Sequence, residues 1–117
     1  MPNRKEGYTQ TFTVPSTSGS YAPERIAFGE VASGQAIDSF QGVTCIVNGT
    51  VATMTVELWL RQFNADHPFI DDDYEYSGKS IGATGGETWA LAGFPGAQLR
   101  VKSGGTSGTA TISATAI

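Results

Sequence analysis

Three groups of residues in this 117-residue chain have side chains able to do chemistry. The single histidine, His67, sits in Asn64-Ala65-Asp66-His67-Pro68 beside an acid. A hydrolase would pair it with a serine nucleophile, but no Gly-x-Ser-x-Gly elbow is present, and His67 is expected to be an ordinary loop residue. Cys45 lies among apolar neighbours in Val43-Thr44-Cys45-Ile46-Val47, which favours a buried, inert thiol over a nucleophile. Asp66, Asp71, Asp72, Asp73 and Glu75 cluster as a hard cation such as calcium requires. Their spacing lacks the alternating acids, central glycine and distal glutamate of an EF-hand loop, so a solvated acidic loop is preferred over a metal site. A glycosidase pair drawn from the same acids has nothing to fix its separation or raise a pKa. No catalytic centre and no cofactor are expected.

Phosphate chemistry fares no better. Gly85-Gly86 and Gly104-Gly105 are followed by no Gly-Lys-Ser or Gly-Lys-Thr, and no helix start follows them to hold an anion. Seven Lys and Arg stand against eleven Asp and Glu, for a formal net charge of −4. With no basic tract, nucleic-acid binding is not expected. Asn48-Gly49-Thr50 matches a glycosylation acceptor, but Met1 to Gly7 shows no apolar region of a secretory signal, and the turn reading is preferred. No run approaches the roughly 18 apolar residues of a membrane helix, and one cysteine forms no internal disulfide, which fits a reducing compartment.

The elements that carry these residues read as strands. Fifteen glycines with abundant Thr, Ser and Ala disfavour helix. Strands are expected over Thr9 to Val14, around Ile26 and Phe28 within Arg25 to Val31, and over Ala36 to Phe40. Val43 to Val47 and Val51 to Arg61 are expected to form a hairpin through Asn48-Gly49. In the latter, Met54, Val56, Leu58 and Leu60 share the core face, while Glu57, Trp59 and Arg61 share the other. Residues Asn64 to Gly86 read as a long polar connection with a short strand near Tyr74 to Tyr76 or Lys79 to Ala83. Glu87 to Leu91 follows, with Trp89 in the core, then a turn at Phe94-Pro95-Gly96, then Ala97 to Lys102 and Thr109 to Ile117. Residues 1–7, with Arg4 and Lys5, read as a flexible arm, and 8–117 as one domain. The fold class is all-β: a single-domain antiparallel β-sandwich of about 7–8 short strands. Jelly-roll and immunoglobulin-like orders are both open on spacing alone.

Two surfaces stand out. Trp59 is a large aromatic on a polar face, which suits either a contact surface or a face covered by loops. The last strand carries a Thr/Ser ladder without Lys or Pro guards, either as an edge open to another chain or as an interior strand with one face in solvent.

The stretch Gly96-Ala97-Gln98-Leu99-Arg100-Val101-Lys102-Ser103-Gly104-Gly105, with the alternating Thr/Ala tail, resembles the small structural proteins of tailed bacteriophages, in particular capsid decoration, cement or staple proteins. The resemblance implies a β-sandwich of jelly-roll order, the expected fold, in a non-enzymatic virion protein made in the host cytoplasm and bound to the outer capsid surface. It would bridge subunits of the major capsid protein or another virion protein as a homo-oligomer, dimer or trimer. Trp59, Arg61, Arg100 and Lys102 are the candidate partner contacts. The alternative is a carbohydrate-binding β-sandwich in which Trp59, Tyr74 and Tyr76 stack on sugar and the acidic loop holds calcium.

Overall fold

The computed structural model describes residues 5–29, 40–61 and 74–117. They form eight strands and no helix: β1 (Glu6–Val14), β2 (Ile26–Phe28), β3 (Phe40–Gly49), β4 (Thr55–Arg61), β5 (Tyr74–Ile81), β6 (Thr84–Phe94), β7 (Ala97–Lys102) and β8 (Gly108–Ala116). All pairings are antiparallel, in two four-stranded sheets of order β1-β8-β3-β6 and β2-β7-β4-β5. Every connection except β4 to β5 crosses from one sheet to the other. That is the doubled Greek key of a jelly-roll, as expected, and the immunoglobulin-like order is excluded.

The period-two patterns read from the sequence bury one side of each sheet. Phe12 and Val14 of β1, Val43, Cys45 and Val47 of β3, Trp89 and Leu91 of β6, and the alanines and Ile112 of β8 face Val56, Leu58, Leu99 and Val101 across the interface. Met54, expected on this face, is buried just ahead of β4, and Leu60 packs against the core from its margin.

Two expectations are corrected. Asn48-Gly49 makes no hairpin turn. Both residues continue β3, pairing with Thr111 and Ala110 of β8, and the chain then crosses to the other sheet. A type I′ turn needs positive φ at both central residues, and no described residue other than glycine has it. The polar stretch before Gly86 is also largely strand where it is described. Tyr74–Ile81 is one continuous β5 with a bulge opposite Leu58 and Trp59, where Gly78 takes φ 80°. At the N-terminus, Glu6 and Gly7 already belong to β1, opposite Ala116 and Thr115, so the arm expected over residues 1–7 does not reach that far; residues 1–4 lie outside the described residues.

Close backbone approaches pin the connections. Gly29 has φ 79°, and a Cβ there would lie 2.2 Å from the Pro95 carbonyl oxygen, so only glycine fits. Ser103 and Gly19 to Ala22 bond along the far end of β7, with Gly19 N–H to Ser103 C=O and Ala22 N–H to Val101 C=O. This carries Tyr21 onto the outer face, opposite Lys102.

Candidate contact surfaces on the two sheet faces

The outer face of β2-β7-β4-β5 is built by register. Glu57 lies opposite Arg100, and Trp59 opposite Gln98 on one side and Tyr76 on the other. The Arg100 guanidinium sits 4.0 Å from the Trp59 ring centroid, and Arg100 Nε donates to Gln98 Oε1 at 3.1 Å. Glu57 Oε1 accepts from Tyr21 Oη at 2.7 Å and from Trp59 Nε1 at 3.1 Å. Tyr21 meets the indole edge-on at 6.2 Å, and Tyr76 lies tilted at 5.7 Å. Burial, then the hydrogen bond to Glu57, push the Tyr21 hydroxyl up to about 12.

The four candidate contacts separate here. Trp59 and Lys102 are half-buried, but Arg61 and Arg100 are 2% and 6% exposed, so neither guanidinium is offered to a free surface. Arg100 is spent on Trp59 and Gln98 within its own sheet. Of the expected aromatic platform, Tyr76 is 43% exposed beside Trp59, whereas Tyr74 is buried. Sequence reasoning missed Tyr21 and, though it set Glu57 on the same face as Trp59, and Gln98 in phase with Arg100, gave neither a role there. Nothing local to Tyr21 points to this face.

The acidic cluster lies largely outside the described residues, as do His67, Asp66, Asp71, Asp72 and Asp73. Glu75 is exposed on β5 opposite Leu60. Among the described residues no three His, Cys, Asp or Glu gather as metal ligands. Cys45 is fully buried, and desolvation raises its thiol to about 11, a state that disfavours the nucleophilic thiolate.

The opposite sheet presents a different surface. The Thr/Ser ladder belongs to an interior strand, because β8 is flanked by β1 and β3. Its neighbours continue the ladder. One row across the sheet reads Thr9, Ser113, Ile46, Gly86, and the next reads Gly7, Thr115, Thr44, Thr88. Hydroxyls pair within the rows, Thr9 with Ser113 and Thr44 with Thr88, both at 3.0 Å. No strand residue on this face is charged; Glu24 touches it only at its margin, where it accepts from Thr13. Ile46, 62% exposed, stands near the centre beside a shallow depression of about 360 Å³ lined by Gly7, Thr9, Thr44, Ser113 and Thr115.

No protein-family model matches the sequence, and no curated protein does. Among solved structures the fold is similar to that of the Yersinia pseudotuberculosis-derived mitogen, with TM-score 0.51 and 11% identity over 97% of this chain and 86% of that one. PirA is similar at TM-score 0.48 and 18% identity, over 90% of this chain and 91% of that one. A chain of infectious bursal disease virus, Gx strain, is similar at TM-score 0.35 and 16% identity, over 98% of this chain and 32% of that one. The likeness to the mitogen is one of fold alone.

Proposed function

We propose that the protein is a non-enzymatic structural component of a virion, a decoration or cement protein. It lays the outer face of β1-β8-β3-β6 on the capsid surface and bridges neighbouring subunits. The observation that carries this reading is the absence of charge from the strand residues of one exposed sheet face, among the described residues, in a chain of net charge −4. Soluble surfaces ordinarily carry about 25–35% charged residues with both signs interspersed. A face of threonine hydroxyls and methyls around an exposed isoleucine costs little to desolvate and excludes no neutral partner, so it suits a flat protein surface. Individually modest contacts, repeated over a symmetric shell, supply strength by avidity. The sequence resemblance to capsid cement proteins points the same way. The partner is then the major capsid protein or another virion component, and the site of action the capsid exterior.

The test is to mix the full chain with intact tailed-phage shells that lack it, pellet them, and heat them. Saturable co-sedimentation at a fixed copy number, with shells that resist heat longer, is expected. No binding would refute the reading.

A second reading has its own observation. The Trp59 and Tyr76 rings form an adjacent pair, with Tyr76 open to solvent, as a sugar-stacking surface requires. Glycan binding lost in Tyr76→Ala would support a carbohydrate-binding module, and its loss on chelation would add the calcium-assisted form.

A further inference from the structure

A sheet edge is a row of open backbone donors and acceptors, and proteins blunt it with shortness, bulges, charge or side-chain caps. Three of the four edges among the described strands are blunted. β2 has three residues. β5 is interrupted by its bulge at Gly78 and exposes Glu75 and Lys79. On β1, the Glu24 carboxylate takes the Thr13 N–H at 2.7 Å, and Gln10 Nε2 donates to the Thr11 carbonyl at 2.9 Å.

Among the described residues β6 is the least guarded, with no bulge and no side-chain cap over its regular part. It is 11 residues long and carries one charge, Glu87. The direction of its backbone follows from the ladder. Gly42 and Ile117 exchange both N–H to C=O bonds, each at 3.0 Å, so even-numbered residues of β3 face β8 and odd-numbered ones face β6. Val43, Cys45 and Val47 therefore bond Trp89, Glu87 and Gly85. The N–H and C=O groups of Gly86, Thr88 and Ala90 then point out of the sheet, and these three residues are small, uncharged and exposed.

We propose that this edge pairs with β6 of a second copy of the chain, antiparallel about a two-fold axis through Thr88. Thr88 meets its own counterpart, and Gly86 meets Ala90 on both sides of the axis, so all three outward residues exchange both of their backbone bonds. The self-pairing is complementary in charge as well as backbone. Glu87 faces the partner copy's Trp89 position and not a second Glu87, so like charges are never opposite. The two outer faces join into one eight-stranded surface whose described strand residues are uncharged. An interface of this kind is isologous, as a closed dimer requires. The proposal goes beyond the capsid reading and does not depend on it, because a dimer forms with or without a shell.

Sedimentation equilibrium of the full chain without shells tests it, with Thr88→Pro, Thr88→Val and Thr88→Cys. The Thr88 N–H bonds nothing within its own sheet, so proline there is tolerated as on natural edge strands. The wild type and Thr88→Val are expected to be dimers, and Thr88→Pro to be folded by circular dichroism with dimerisation at least tenfold weaker. Across the axis the Thr88 Cα atoms would lie about 5.5 Å apart, inside disulfide range. Mild oxidation of Thr88→Cys should therefore give a covalent dimer, while Thr111→Cys, also exposed but central to the face, gives none. A wild-type chain that stays monomeric at millimolar concentration overturns the proposal, and so does a Thr88→Pro chain that dimerises like the wild type. If the proline variant does not fold, absence of the Thr88→Cys crosslink overturns it alone.

Discussion

Tyr21 and Glu57 show how much one hydrogen bond can reveal about a surface. A tyrosine raised to about 12 in the folded chain and near 10.0 when unfolded contributes stability that is complete below pH 10 and is lost as pH rises toward 12. Thermal melts between pH 9 and 12 should therefore fall more steeply for the wild type than for Tyr21→Phe, and absorbance titration of the variant should lose a tyrosine that ionises near pH 12. Equal slopes would mean that burial and the Glu57 bond do not raise the hydroxyl in solution. Trp59 and Arg100 permit a second test. A double-mutant cycle with Trp59→Leu and Arg100→Met should return a coupling of about 1 to 2 kcal/mol, the range of a partly desolvated cation–π contact, and no coupling would show that the two merely adjoin. Trp59 could be marked from the sequence, since an aromatic out of phase with Met54, Val56 and Leu58 demands a partner on the polar face. Of its partners, Tyr21 was not readable there, because it arrives from a connection with no period. The burial of Arg61 and Arg100 reverses the usual expectation for arginines on a solvent-facing strand side.

The strands show where alternation informs and where it stops. β7 and β8 were placed within a residue of their observed bounds, because their apolar residues repeat strictly at spacing two and glycines flank them. β5 and the start of β6 were not, because a strand at an edge with exposed sides has no apolar face to announce it, as Glu75, Gly78 and Lys79 illustrate. The Asn48-Gly49 error has a related cause. Turn chemistry is local, whereas the continuation of β3 is set by two flanking strands, β6 and β8, that lie far away in sequence. The guard on β1 yields a prediction of its own. The Thr13 N–H, donated to Glu24, holds that carboxyl below its ordinary 4.5, so its contribution is present above pH 4.5 and is lost as pH falls through the lowered value. Glu24→Gln should cost about 1 kcal/mol at pH 7 and should remove part of the acid sensitivity seen in urea melts between pH 5 and 3. An unchanged acid slope would show that the contact adds nothing in solution.

The molecule as a whole is a jelly-roll with two unlike faces. One is a polar-aromatic cluster whose hydrogen bonds close largely on one another, and the other is a wide face whose described strand residues, mostly threonine, serine and alanine, carry no charge. The sandwich and its strand count followed from composition and spacing. Spacing alone left the strand order open between two sandwiches, and with it the knowledge that Thr9, Thr44 and Thr88 extend the ladder of β8 into a surface. The central claim is that this surface is the one that meets the capsid, and it is tested most directly by charging one face at a time. Ile46→Lys with Ser113→Glu places charge on exposed positions of the threonine face, where substitutions usually change stability by only about 0.5 kcal/mol, and Tyr76→Ala trims the other face. Co-sedimentation of each with shells lacking the protein should show binding lost in the charged double variant and kept in Tyr76→Ala. Binding kept in the double variant and lost in Tyr76→Ala would contradict the account and assign contact to the aromatic face.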